Sequence, residues 1–331
     1  MKKVIIYGTG NYYRENQYKM PEDIETVAYA DSNEEKATSF SGKTMDGIKI
    51  ITPDEIEKVD FDLLYICTDY ANGNRIFQNL KNVNMDLKKV RFLNRIDVLE
   101  DAWEYEIQGD KSILSKIGNI KIREKFLTDS DIVYDIFARH AYDFHIPAGE
   151  KVVVDIGMNV GIASLFFASK GDVAAVYGFE PFPDAYHQAL DNFALNDAGI
   201  RNKIHPYNQA VSDKEETRTV FVNSDQTGWR SIFCDDDTKE TVQICCKRAS
   251  DVIGKIVEEN KGRKIVVKID TEGAEFPIFE SLGKTELLKS VDAMLIEYHG
   301  EPSPIMEILD RFGFQYVITG SRCFGMLYAF C

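Results

Sequence analysis

The chain has 331 residues, long for one domain and comfortable for two. Its hydrophobic content of 44% and charged content of 28% are those of a globular protein, and a net charge of −15 argues against a nucleic-acid partner. The start, MKKVIIYGTGNYYREN, turns polar too soon for a secretory signal, no apolar run is long enough for a membrane span, and the six cysteines include no C-x-x-C pair. A cytoplasmic protein with reduced thiols is expected.

Two series of strand and helix signals predict an α/β chain of two Rossmann-like domains. In the first, VIIYG (Val4–Gly8), TVAYADSN (Thr26–Asn33) and FDLLYICT (Phe61–Thr68) read as buried strands. TPDEIEKV starts a helix, with Thr52 as cap and Pro53 in the first turn; NGNRIFQNLKN is a helix and KVRFLN a last short strand. Gly8 and Gly10 open a partial dinucleotide fingerprint, with Tyr13 in place of a third glycine and Asp31 near the position of a ribose-binding acid. The domain is set at residues 1–95. Its element order is similar to the small Rossmann-like domain in front of sugar acyltransferases of bacterial glycan assembly. That resemblance implies binding of a nucleotide sugar or phosphosugar.

Residues 96–145 are expected to be a mostly helical connector and lid, carried by SILSKIGNIKIREKF and SDIVYDIFARHAYDF. The second stretch has Ile132, Ile136 and Phe137 on one face and Ser130 or Asp131 as cap.

Residues 146–331 hold the second series. Strands KVVVDIG, AAVYGFE, KIHPYNQAVS, KIVVKID and AMLIEYH alternate with helices GIASLFFASKG, PDAYHQALDNFALND, FPIFESLGKTELLK and PSPIMEILDRFG. TRTVFVN and TVQICC are extra strands inserted before KIVVKID, and FQYVITGSRCFGMLYAFC is a terminal hairpin. This is the layout of a class I methyltransferase sheet.

The stretch VVVDIGMNVGIASLFFA runs a buried strand into Asp155, then through Gly157, Asn159 and Gly161 into an apolar helix. Such a turn leaves backbone N–H groups free to meet a ligand, and the acid suits hydroxyl or ammonium groups better than a phosphate. Glu180 ends the next strand at the carboxyl edge, where an acid accepts hydrogen bonds from both ribose hydroxyls of an adenosine. Asp270 and Glu272 follow KIVVKI, and Glu297 and His299 end the next strand, pointing the same way. Between the inserted strands, Trp229 and Arg230 pair an aromatic face with a fork of donors; a sugar contact and a solvated hairpin tip are equally open.

The stretches VVDIGMNVGIAS, YGFEPFPDAY, NQAVSD, KIDTEGAE and IEYHG stand in the order of the FkbM-type methyltransferases, which the chain resembles from about Asp131 to its C-terminus. The resemblance implies S-adenosylmethionine as methyl donor and O-methylation, often of sugars or polyketide hydroxyls. On this chain it implies donor contacts from Asp155, Gly157, Asn159, Gly161 and Glu180, and an adenine side near Gln209, Ala210 and Asp213. It implies an acceptor side of Asp270, Glu272, Glu297 and His299. His299 is the first candidate for general base, because imidazole titrates near neutral pH; Asp270 or Glu272 is the second. A magnesium ion held by Asp270, Glu272 and Glu297 is the third. The expected function is O-methylation of a sugar, nucleotide sugar or glycan precursor in polysaccharide biosynthesis. The rivals are an NAD(P)-linked oxidoreductase or a nucleotide-sugar-binding protein centred on Gly8, Gly10 and Asp31, and a homo-oligomer is left open.

Overall fold

A computed structural model describes all residues except 33–43, 46, 69, 83–84, 94–102, 144–147 and 223–239. Contacts group the chain into two units, Met1–Gly118 with Arg123–Tyr134, and Asn119–Ile122 with Asp135–Cys331.

In the first unit, β1 (Lys2–Tyr7), α1 (Asn11–Asn16), β2 (Ile24–Ala30), β3 (Thr44–Met45), β4 (Ile48–Ile51), β5 (Leu63–Ile66), α2 (Tyr70–Asn82) and β6 (Val90–Phe92) follow in order. The sheet runs β3-β4-β2-β1-β5-β6, parallel except where β3 meets β4. Alternate residues of β1 feed two cores: Ile5 and Tyr7 on one side, Val4 and Ile6 on the other. A central strand covered on both faces needs such an unbroken apolar run. The helix expected after Thr52 is a short 3₁₀ turn, Pro53–Lys58, closed by a capping box between Thr52 and Glu55.

The helical reading of residues 96–145 is corrected. Strands β7 (Trp103–Ile107), β8 (Ile113–Ile117) and β9 (Ile120–Glu124) form a three-stranded sheet, and among the described residues of this stretch only α3 (Leu127–Phe137) is an α-helix. In ILSKI and IKIRE the buried residues alternate: Ile113, Ser115 and Ile117, then Ile120, Ile122 and Glu124. That period of two is a strand signal, and Gly118, at φ 56°, makes the turn between them.

The second unit contains β10 (Lys151–Ile156), α4 (Ile162–Ser169), β11 (Val173–Phe179), α5 (Pro183–Ala194), α6 (Ala198–Arg201) and β12 (Ile204–Tyr207). There follow β13 (Ala210–Ser212), β14 (Glu216–Val222), β15 (Glu240–Arg248), α7 (Ala249–Glu259), β16 (Lys264–Ile269) and α8 (Glu275–Leu282). The chain ends with β17 (Ala293–His299), α9 (Ser303–Phe312), β18 (Gln315–Gly320) and β19 (Phe324–Phe330). The seven-stranded sheet runs β12-β11-β10-β16-β17-β19-β18, parallel through β17 and closed by the antiparallel hairpin β18–β19. This is the class I methyltransferase sheet that the pattern predicts. Val152, Val153 and Val154 of β10 are wholly buried. Each such side chain contributes about 1.5–3 kcal/mol relative to exposure.

Two details differ from the sequence reading. KIHPYNQAVS is two strands in different sheets, β12 and β13, because the chain breaks at Asn208 and Gln209. The Asn208 amide then donates to the Glu180 carbonyl at 2.8 Å. Helix α7, an amphipathic segment burying Ala249, Ile253 and Ile256, has no counterpart in the predicted elements.

Candidate active site

Strand β10 has β11 on one side and β16 on the other, so the sheet order reverses at the carboxyl ends of β10 and β16. Ligands of open α/β sheets bind at such a point. Here Gly157 has φ 80°, and an added Cβ would lie 1.6 Å from the Asp270 carbonyl oxygen. Only glycine lets the two strand ends approach this closely. The Gly157 and Met158 N–H groups donate to the Phe179 carbonyl, at 3.0 and 2.9 Å, which ties the turn to the end of β11.

Glu180 follows β11. One carboxylate oxygen accepts the Asn159 N–H and the other the Phe182 N–H, both at 2.9 Å. The side chain is buried, and that burial pushes its pKa up to about 7, against the lowering effect of the two N–H donors. Each oxygen keeps a second lone pair for a ligand. The Asn159 Oδ1 is buried and has no hydrogen-bond partner. A cleft of about 560 Å³, counting its open mouth, is lined by Gly157, Asn159, Glu180, Gln209, Ala210, Asp270 and Glu272, among others.

Asp155 sits elsewhere. It is fully buried, accepts the Ser164 hydroxyl at 2.6 Å and pairs with Lys268 at 3.1 Å. Lys268, 2% exposed, also donates to the Gly157 carbonyl at 2.6 Å and lies 3.5 Å from Asp270. Burial opposes the lysine's charge, but Asp155 and Asp270 outweigh it and raise its pKa. Asp155 thus sits beneath the turn, bonded to Ser164 and Lys268, where the sequence reading expects it to face a ligand's ammonium. Gly161 is a packing glycine: an added Cβ would meet the Phe193 ring at 2.5 Å, where α4 crosses α5. Asp213 accepts the Ser212 hydroxyl at 3.1 Å and is not among the residues lining the cleft.

The acceptor-side residues meet at the ends of β16 and β17. His299 lies between two carboxylates, with Nε2 3.1 Å from Glu272 and Nδ1 3.2 Å from Glu275. Glu275 is buried at the start of α8, where one oxygen also accepts the N–H groups of Thr271 and Gly273 and the Thr271 hydroxyl. Burial opposes charge on His299, yet Glu275, Glu272 and Asp270 raise its pKa to about 9. A charged imidazole has no free lone pair, which weighs toward a carboxylate as proton acceptor over His299, the first candidate of the sequence reading. Burial raises Glu272 to about 7, and burial with the Asp270 charge raises Glu297 to about 8. Sequence reasoning missed Lys268 and Glu275. A lysine inside the apolar run KIVVKI and an acid in the first turn after Thr271 were the available signals.

Residues 155–316 match the family model described as the methyltransferase FkbM domain. They form an FkbM methyltransferase domain. Residues 1–91 match a second model, the C2185-like N-terminal domain. Among relatives, Methyltransferase sdnD of Sordaria araneosa is 26% identical over 242 residues, covering 65% of this chain and 90% of its own. Methyltransferase 1 of Beauveria bassiana is 21% identical over 204 residues, covering 56% and 80%. The crystal structure of methyltransferase FkbM from Methylobacillus flagellatus aligns over 99% of this chain and 90% of its own at 13% identity, with a TM-score of 0.41. No helix among the described residues is long and apolar enough to cross a membrane.

The FkbM domain's cleft suits the donor of such enzymes: it offers the paired oxygens of Glu180 and the orphaned Asn159 Oδ1. Magnesium fits less well. The ligand atoms that converge within 4.8 Å belong to Asp270, Glu297 and His299, while Glu272, expected in the set, pairs with His299. Magnesium prefers oxygen ligands, and both imidazole nitrogens already face carboxylates. No step is derived through a metal.

Outside the FkbM domain, Gly8 has φ 100° and packs against Thr68 and Cys67, Gly10 is open, and Asp31 accepts the Thr9 hydroxyl at 3.0 Å. Tyr13 is buried, edge-on to Tyr29 at 6.0 Å. Trp229 and Arg230 lie outside the described residues.

Proposed function

We propose that the protein is an S-adenosylmethionine-dependent O-methyltransferase acting on a hydroxyl of a sugar, nucleotide sugar or glycan precursor, with polysaccharide assembly in the cytoplasm as its setting. The observation that carries this reading is one cleft that runs from the Glu180 oxygens to Asp270 and Glu272. The donor, when bound, supplies a methyl group already activated on a sulfonium. Gly157, Asn159, Glu180, Gln209 and Ala210 would hold it.

The chain's own task is then to orient the acceptor and take up a proton. A sugar hydroxyl is a very weak acid, so a nearby carboxylate with a raised pKa is an effective proton acceptor. Glu297, at about 8, fits that role. His299 stays charged and fixes the position of Glu272. Phe324, 53% exposed, lies with its ring 5.4 Å from that of His299. An aromatic face beside carboxylates matches a sugar ring, which is apolar on its faces and polar at its edge. This supports a sugar acceptor. The dehydrogenase rival is disfavoured, because the Tyr13 ring is packed into the core at the position of the fingerprint's third glycine.

The test is calorimetric titration of the protein with S-adenosylhomocysteine, alongside Glu180→Ala, followed by a methyl-transfer screen of nucleotide sugars. Micromolar binding that is lost in the variant supports the donor site. A folded wild type that binds nothing overturns the reading.

A further inference from the structure

Strand β18 is the outer strand of the seven-stranded sheet, and among the described residues it pairs only with β19. Its free edge presents a row of backbone N–H and C=O groups to which another strand can bond. The register with β19 runs unbroken from Gln315 to Gly320, so no bulge turns that edge away. Five of the six residues are exposed and only Tyr316 is part-buried. Val317 is 48% and Ile318 40% exposed, and as consecutive strand residues they stand on opposite faces of the sheet.

The opposite edge of the same sheet is blunted. Strand β12 has only four residues and carries Pro206, which has no N–H to offer. Folded proteins guard an open edge with proline, a bulge, charged side chains or a covering element. Strand β18 has none of these: it reads QYVITG, without a charge, and it lies exposed. An edge of this kind fits another extended strand, because a strand supplies N–H and C=O groups at the matching repeat.

The flanking charges select the strand. Asp310, exposed in the last turn of α9, precedes β18, and Arg322, with its side chain 86% exposed, follows it. Arg311, beside Asp310, is turned back to donate to the Gly283 carbonyl at 2.9 Å. A second copy laid antiparallel brings each Arg322 to the end where its mate carries Asp310. The uncharged strands meet between them, with no like charges opposed. We infer that β18 pairs antiparallel with β18 of a second copy, joining the two sheets across a two-fold axis. This dimer is independent of the methylation chemistry.

The test is sedimentation velocity of the full chain from about 1 to about 100 μM, a range that brackets the weak dimer expected of so small an interface. Amide exchange at Gln315–Gly320, followed over the same range, should slow as the dimer forms. Ile318→Lys places two like charges near the axis and should weaken the dimer about tenfold or more, with the melting temperature of dilute protein unchanged. Arg322→Glu should weaken it about twofold to tenfold, and Asp310→Arg added to that variant should restore it. A wild type that stays monomeric overturns the inference. So does a dimer that leaves β18 exchange unchanged, one that Ile318→Lys leaves intact, or one that the charge swap fails to restore. If Ile318→Lys melts lower when dilute, β18 exchange in the wild type decides by itself.

Discussion

His299 is held at Nδ1 by Glu275, 3.2 Å away, and that contact decides the charge of the imidazole. Burial disfavours the imidazolium, but the Glu275 bond and the Glu272, Glu275 and Asp270 charges outweigh it and raise the pKa from 6.5 to about 9. Its stabilising contribution is therefore complete below about pH 6.5 and is lost as pH rises through about 9. Glu275, held below its usual 4.5, contributes above that value and loses its share in acid. Glu275→Gln is expected to cost on the order of 1–3 kcal/mol at pH 6 and less at pH 9.5. Urea denaturation at the two pH values measures this, and NMR titration should place the His299 midpoint lower in the variant. Equal losses at both pH values would remove the ion pair from the explanation.

Glu297 is expected to be the proton acceptor. Its carboxyl, raised by burial and by Asp270 to about 8, is charged only above that pH, so turnover should climb with pH to a plateau past about 8. Glu297→Gln should lower kcat by about 10²–10⁴-fold and abolish that limb. His299→Gln should leave the limb in place, though shifted. A pH–rate profile of the three proteins decides; loss of the limb in His299→Gln alone would return the role to the imidazole.

Glu180 sets the pH dependence of donor binding. Burial raises it from 4.5 to about 7, so below about pH 7 it is protonated and gives up part of its accepting capacity. S-Adenosylhomocysteine affinity should weaken from pH 8 to pH 6 in the wild type and stay flat in Glu180→Gln, as calorimetry at the two pH values can read. The stability sign is opposite. The native state binds this proton more tightly than the unfolded chain, so stability falls as pH rises from about 4.5 to about 7.

Lys268 joins the two halves of the site from below. It is 2% exposed and Asp155 is fully buried, so Lys268→Met leaves Asp155 charged and uncompensated. Breaking such a pair costs about 3–5 kcal/mol. The double variant Asp155→Asn, Lys268→Met should lose less than the sum of the single losses, because the orphaned charge is gone. Additive losses in chemical denaturation would show that the pair does not act as a unit.

Much of the site could be read directly because its residues fall at strand ends. Glu180, Asp270, Glu297 and His299 each follow an apolar run, and parallel strands deliver their final residues to one edge of a sheet. The strands over residues 103–124 were misassigned because isoleucines at short intervals fit a helix face when alternation is not counted; Ser115 and Glu124, buried among them, obscured the period. Glu124 sits in that sheet with the hydroxyls of Ser115 and Ser130 as its donors. That arrangement depends on tertiary contact and leaves no local trace.

The order of apolar runs, glycines and acids determined by itself that the second half of the chain is an alternating sheet with a ligand edge, since strand burial and turn geometry are local properties. Which partners each acid meets was decided only by the tertiary structure. Asp155 and His299 stand as a single acid and a single base in the sequence, and only the fold sets Lys268 against the one and Glu275 and Glu272 on either side of the other. Protonation depends on burial and on charges brought close from distant positions in the chain, and neither is encoded in any short stretch of sequence.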